Sequence, residues 1–255
     1  MLDSMTEPTT ESRLGADKWL DSLSTADALT VMLDSQAEAA DVVRSALPQI
    51  DKAVTALHIR LAASQTSRLV YAGAGTSARI GVQDGAELLP TFDWPDSRTA
   101  FIIAGGPAAL LQPVENAEDD EAAAKQALAE LGRGPEDCII GLAASGRTPF
   151  TIAAVRAARA AGCLSIGISN NEGAPLLEVA DYPVCLVTGA EALAGSTRLK
   201  AGTAQKICLN LISTQIMVLM GKVKHGLMAE MKPRNAKLQA RHAEIQAMLA
   251  AEQTP

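Results

Sequence analysis

The apolar run Leu69-Val-Tyr71 leads into Gly73-Ala-Gly-Thr-Ser-Ala-Arg79, and Cys138-Ile-Ile-Gly-Leu142 leads into Ala143-Ala-Ser-Gly-Arg-Thr-Pro149. Both runs are rich in aliphatic residues and of strand length, and both loops open a helix-like segment. Small residues let a backbone turn sharply and approach a ligand closely, and the free N–H groups of a helix start suit an anion. Thr76, Ser77, Ser145 and Thr148 add hydroxyl donors. Two strand–loop–helix units of this kind point to an α/β sheet whose loops hold a compact dianion, such as the phosphate monoester of a sugar.

Further apolar runs at 99–104, 164–169 and 183–187 join those at 68–72 and 137–143, mostly separated by helical stretches. This alternation predicts a parallel sheet covered by helices on both faces. Upstream, residues 1–23 read as an extended arm. Ser24 with Asp27 fits a capping pattern for a helix that runs to about Leu47 and ends before Pro48, followed by a second helix over Ile50–Ala63. Pro149 is expected just inside a helix start, with Thr148 as N-cap and Gly162 closing the helix. Long helices are expected over Ala201–Lys222 and Asn235–Ala250. The division that follows is an arm and helix over 1–47, a sugar-phosphate-binding domain over 48–232 and a C-terminal helix over 233–255.

A chain of 255 residues can bury a sizeable core and lies near the upper limit for one domain. Hydrophobic residues make up 48% but aromatic residues only 3%, so aliphatic side chains fill that core and a stacking surface for bases is not expected. The formal net charge of −7 opposes nucleic acid and anionic membrane surfaces, which reward clustered Lys and Arg. The acidic start MLDSMTEPTTES does not read as a signal peptide. The apolar run at 209–220 is interrupted by Asn210, Ser213 and Gln215, so no membrane span of about 20 apolar residues is predicted. Four scattered cysteines without a C-x-x-C pair read as buried thiols, and the chain is expected to be cytoplasmic.

Read alone, the first loop is G-x-G-x-x-A, close to a dinucleotide fingerprint. That chemistry needs an acidic residue at the end of the next strand to hold the ribose hydroxyls. Here the strand runs into Gly105-Gly-Pro107, so a nicotinamide cofactor is not expected. Two carboxylates stand out instead. Glu87 lies in Asp84-Gly-Ala-Glu-Leu-Leu-Pro90, where apolar neighbours would favour a protonated acid. Glu118 lies in Val114-Glu-Asn-Ala-Glu-Asp-Asp120, whose Glu115, Asp119 and Asp120 read as a solvated helix face. A third cluster, Gly195-Ser-Thr-Arg-Leu-Lys-Ala-Gly-Thr-Ala-Gln-Lys206, places Arg198 and Lys200 just before a long helix. Positive charge opposes the helix dipole there, so an anionic partner is expected.

Taken together, GAGTS, the pair Asp84 and Glu87 ahead of Pro90-Thr-Phe92, AGGP, ENAED, GLAASGRTP and GSTRLKAGTAQK resemble the N-acetylmuramic acid 6-phosphate etherases of the SIS (sugar isomerase) fold group. The likeness starts at Thr6-Glu7 and is densest from Gly73 to about Lys232. It implies a SIS-type three-layer sandwich, a five-stranded parallel sheet flanked by helices, with a helical N-terminal arm and a C-terminal helix. It also implies a homodimer with sites near the subunit interface, a sugar-phosphate substrate, and no metal or cofactor. The implied activity is cleavage of the D-lactyl ether of N-acetylmuramic acid 6-phosphate to N-acetylglucosamine 6-phosphate and D-lactate, in peptidoglycan recycling.

By this resemblance Glu87 donates a proton to the departing ether oxygen and Glu118 is the second acid–base residue. The substrate-binding set is Gly75, Thr76, Ser77, Ser145, Gly146, Arg147, Thr148, Ser196, Thr197, Arg198 and Lys200. The chain stops short of typical members, so their small C-terminal helical subdomain is expected to be missing. Two other readings keep the fold and change the chemistry. One is a sugar-phosphate isomerase with His225 as its base; the other is a non-catalytic sugar-phosphate sensor, which has no need of paired glutamates.

Overall fold

The computed structural model describes residues 8–132, 134–232 and 236–251. Three short 3-10 turns between Thr9 and Ser22 lead to α1 (Thr25–Ala62), β1 (Leu69–Gly73), α2 (Gly75–Ala86), the single turn α3 (Leu88–Phe92) and β2 (Thr99–Ile103). Then come α4 (Glu121–Glu130), β3 (Cys138–Leu142), α5 (Pro149–Ala160), β4 (Leu164–Ser169), α6 (Pro175–Val179), β5 (Tyr182–Cys185), α7 (Lys200–Leu219) and α8 (Ala236–Ala251). The expected start of the last helix at Asn235 and the likeness at Thr6-Glu7 lie outside the described residues.

The strands form the expected five-stranded parallel sheet, in the order β2-β1-β3-β4-β5. Side chains alternate between its faces. Leu69 and Tyr71, Cys138 and Ile140, and Ile166 and Ile168 pack with α1 and α7 in one core. Val70, Ala72, Ile102 and Ile139 pack with α4, α5 and α6 in the other. Gly141 has no space for a Cβ, which would run into Val155 of α5, so the small residue sets how closely that helix approaches β3. Because β1 and β3 are neighbours while β2 lies outside them, the chain leaves β1 in one direction and β3 in the other. Such a switch point opens a crevice at the carboxyl ends of the two strands, where Gly73 sits opposite Leu142.

The helix break expected at Pro48 is absent: α1 runs unbroken for 38 residues through that proline. The buried stripe Ala39, Val43, Ala46, Ile50, Ala53, Leu57 and Leu61 continues across it. Pro48 lies on the exposed side of the helix, as does Arg44, whose carbonyl the missing N–H would have met. Apolar packing on both sides of the proline outweighs the local loss of about 3 kcal/mol. A second correction concerns Asp120. It is the N-cap of α4, accepting from the Ala123 N–H at 2.8 Å, rather than part of a helix face. No described helix is long and apolar enough to cross a membrane.

Candidate active site

Both glycine–hydroxyl loops lie at the switch point. In the first, Gly75 takes φ 53°, and a Cβ on Gly73 would stand 3.1 Å from both the Ala78 nitrogen and the Leu142 carbonyl oxygen. Ala74, the N-cap of α2, has no capping side chain, so the first N–H groups of that helix stay open. Thr76 is half-buried and Ser77 buried beside them. In the second loop Gly146 has φ 64°, and a Cβ there would collide with Ser169 and Ala174. Ser145 Oγ accepts from the Arg147 N–H at 3.2 Å. Thr148 is the N-cap of α5, as expected, but makes no side-chain capping bond, and Gly162 closes that helix at φ 89°.

The third segment reaches the first loop at the start of α7. A Cβ on Gly202 would sit 3.5 Å from Thr76 Cγ2 and 3.3 Å from the Thr197 carbonyl oxygen. Ser196 and Thr197 are half-buried and Arg198 exposed. Part of the anion expected at this helix start comes from the chain itself. Glu191, fully buried, accepts from the Lys200 N–H at 2.9 Å and from the Ala201 N–H at 2.8 Å. The Lys200 ammonium lies 2.7 Å from Glu38 of α1. Nothing local in the sequence marks Glu191, because it caps a helix nine residues further on; the only signal was the poor fit of cations to a helix start.

The N-terminal arm ties these loops together. Asn171, at the end of β4, donates to Thr10 Oγ1 at 3.2 Å and to the Ala144 carbonyl at 3.0 Å, and it accepts from Thr9 Oγ1 at 3.0 Å. Gly195 N–H donates to the Thr10 carbonyl at 3.0 Å. Beneath them Asn170 donates to the Leu186 carbonyl and accepts from Gln205 of α7 at 2.9 Å. These contacts run from the second loop to the start of α7. Arg147 lines a neighbouring cavity of about 290 Å³ with Thr9 and Asn171.

The two glutamates sit apart. Glu118, in a 3-10 turn, is exposed and lines a cavity of about 330 Å³ with Gly75, Thr76 and Arg79 of the first loop. Glu87 caps the far end of α2, twelve residues or roughly 18 Å from that loop. The apolar setting expected for it is not there: Leu88 turns inward and is buried, while Glu87 is exposed. Its neighbour Asp84 is the buried carboxylate, accepting from Tyr71 Oη at 2.8 Å, Asn210 at 2.8 Å and Ser213 at 3.0 Å. Burial, followed by the charge and hydrogen bond of Asp84, holds the Tyr71 phenol well above its ordinary range. Burial pushes the Cys138 and Cys208 thiols up to about 12.

Residues 49–159 match the family of the glucokinase regulatory protein N-terminal SIS domain, and residues 109–215 match the SIS domain. N-acetylmuramic acid 6-phosphate etherase of Deinococcus radiodurans is 47% identical over 238 residues, covering 93% of this chain and 77% of that protein. The etherase of Rubrobacter xylanophilus is 43% identical over 245 residues, covering 96% of this chain and 81% of its own. The chain belongs to the N-acetylmuramic acid 6-phosphate etherase family. A phosphoheptose isomerase from Francisella tularensis has the same fold, with a TM-score of 0.56 at 19% identity over 79% of this chain and all of its own.

Within this etherase-family chain the candidate residues fall into two groups. The three loops and Glu118 gather at the carboxyl edge of the sheet, while Glu87 stands at the opposite edge. His225, the base an isomerase would need, also lies away from the loops, in a turn beyond the far end of α7.

Proposed function

We propose that this chain is a carbon–oxygen lyase that cleaves the D-lactyl ether of N-acetylmuramic acid 6-phosphate, giving N-acetylglucosamine 6-phosphate and D-lactate. The observation that carries the reading is identity of 43–47% over more than nine-tenths of the chain with proteins of that name. The cavity shared by Glu118 and the first phosphate-type loop fits it. In the open-chain sugar the ether oxygen on the third carbon is β to the aldehyde, which acidifies the proton on the second carbon. A carboxylate takes that proton, and the electron pair forms the double bond as the carbon–oxygen bond breaks. The ether oxygen, protonated as it departs, becomes the hydroxyl of D-lactate. Water then adds its oxygen to the third carbon and a proton returns to the second, so the net change is hydrolysis of an ether without oxidation or reduction.

In this reading the open N–H groups and hydroxyls of Gly75, Thr76, Ser77, Ser145 and Thr148 hold the phosphate, while Gly146, whose own N–H donates to the Ala143 carbonyl, lets the backbone turn close to it. Arg147, Ser196, Thr197, Arg198 and Lys200 complete the anion-binding subsite. Glu87 protonates the ether oxygen and Glu118 is the second acid–base group. A homodimer is part of the proposal, with Glu87 of one copy reaching the loops of the other. Its exposure, and the uncovered Leu29 and Leu33 on the first turns of α1, support that arrangement. We place the enzyme in the cytoplasm, in keeping with four cysteines that form no disulfide, three of them buried.

The test is D-lactate release from N-acetylmuramic acid 6-phosphate. Glu87→Gln is expected to lower turnover about 10²–10⁴-fold, a barrier change on the order of 3–5 kcal/mol, while sugar-phosphate binding persists. Release at the parent rate would remove Glu87 from the mechanism. Mixing Glu87→Gln with Glu118→Gln under subunit exchange separates shared from private sites. Random pairing makes about half the dimers mixed, each with one intact shared site, so roughly a quarter of parent activity returns if sites are shared. No recovery would mean that each site is built within one subunit. Ketose formation from hexose phosphates, or tight product binding without turnover, would favour the isomerase or sensor instead.

A further inference from the structure

We propose that Arg79 is a positioning residue for Glu118, resting on the etherase reading above. Arg79 ends the first loop motif, yet its side chain does not stay with that loop. Nε donates to the Leu110 carbonyl at 3.0 Å and Nη2 to the Ala109 carbonyl at 2.9 Å. These carbonyls close the 3-10 turn Pro107–Leu110, so the guanidinium grips the end of a turn where backbone oxygens gather.

That turn belongs to the segment that carries Glu118. After β2 the chain reverses through Gly105 and Gly106, at φ 78° and 70°. Val114 folds back onto Gly105, where a Cβ would stand 2.7 Å from Val114 Cβ. Asn116, in the left-handed region at φ 58°, then starts the 3-10 turn holding Glu118. This excursion has no strand or long helix of its own. On the loop-one side it is held by the fork of Arg79, and on the other by the Asp120 cap of α4. Arg79 also supplies the positive charge among the described residues lining the cavity, which includes Glu115 and Glu118. Two bonds from one rigid fork to consecutive carbonyls fix both distance and orientation, which a lysine cannot do. A carboxylate doing acid–base work must be held within a fraction of an ångström, and a shift of about 1 Å costs on the order of 10²-fold in rate.

The experiment measures lactate release for Arg79→Gln, Arg79→Lys, Glu118→Gln and the Arg79→Gln/Glu118→Gln double variant, with thermal unfolding and product binding as folding checks. Arg79→Gln is expected to lower kcat about 10²-fold with KM unchanged, and Arg79→Lys to recover only part of that loss. The double variant is expected to be no slower than Glu118→Gln alone, because the positioning residue has nothing left to position. Multiplication of the two single losses overturns the proposal, and so does a change confined to KM, which would make Arg79 a substrate ligand. If Arg79→Gln fails to fold, Arg79→Lys carries the same comparison against Glu118→Gln. Full activity of Glu118→Gln would overturn the acid–base role of Glu118 and this proposal together, whereas the other two results overturn only the role of Arg79.

Discussion

Removing Glu191 should do more damage than its place in an ordinary-looking Gly189-Ala-Glu-Ala192 stretch suggests. Its carboxylate is fully buried and bonds the Lys200 and Ala201 N–H groups, the open donors of a 20-residue helix. Glu191→Ala leaves two buried donors unpaired, at about 1–3 kcal/mol each, or about 4 kcal/mol in the middle of the range. For a chain of this size that corresponds to a fall of roughly 8–16 °C in the unfolding midpoint. Glu191→Gln keeps one acceptor and turns an amide donor toward the other N–H, so it should fall between parent and alanine variant. Asp41→Asn gives the contrast. Its ion pair with Arg44 has side chains 75% and 83% exposed, so its loss should be barely measurable. Thermal unfolding followed by circular dichroism measures all three. The start of α7 abuts Thr76, so the alanine variant should also bind N-acetylglucosamine 6-phosphate more weakly. A midpoint within 2 °C of the parent, on the order of the shift from 1 kcal/mol, would refute the claim that this buried carboxylate holds the helix and the third segment in place.

Two further perturbations test how the fold is held. Pro48→Ala should stabilise by about 1–3 kcal/mol, because alanine restores the missing backbone bond on the exposed side of α1 without touching its buried stripe; chemical denaturation measures this, and a loss of stability would mean that the proline ring is part of the packing. Asp137 gives an acid-dependent term. Burial pushes its carboxyl up, but the Arg68 guanidinium and the backbone N–H groups of Gly134 and Arg68 outweigh it and hold the group below the usual carboxylate range. A depressed folded-state value means that the stabilisation is complete above the unfolded value of about 3.9 and fades as pH falls through the folded one. Asp137→Asn should therefore lose stability less steeply than the parent below about pH 4, and equal slopes in denaturant titrations across that range would contradict the assignment.

The sheet was legible because strand–loop–helix punctuation is local. Four of the five apolar runs became strands within a residue of their expected bounds, the fifth ended two residues early at Cys185, and Pro149 and Gly162 framed α5 as such residues do. Pro48 misled for the same reason, since a local rule about a missing donor was overridden by packing spread along about seven turns of α1, from Ser35 to Leu61. At the site, the loops could be read from their own residues, whereas the supporting contacts could not. Asn171 joins residues more than 160 positions apart, and Arg79 grips carbonyls some 30 residues away, which no spacing pattern announces. Glu87 was conspicuous because a charge stood beside two leucines. That contrast reflects Leu88 turning inward rather than an apolar pocket around the carboxylate.

The separation of the two glutamates follows from the direction of the chain. In a parallel sheet a helix that starts at the carboxyl end of its strand runs back along the sheet, so α2 must deliver Glu87 to the opposite edge. Glu118 comes about thirty residues later but follows β2, whose carboxyl end returns to the same edge as β1, because Gly73 and Ile103 are in register. Closeness in sequence therefore means distance in space for one carboxylate, and the reverse for the other. A helix of roughly 18 Å is longer than a hexose phosphate, so one substrate held in the loops cannot touch both ends of α2 in the same subunit. If both glutamates act on one molecule, a second chain has to present its α2 terminus across the loops. The polar network of Asp84 with Tyr71, Asn210 and Ser213 then has a use beyond stability, since it fixes the end of the helix that must be offered to the partner.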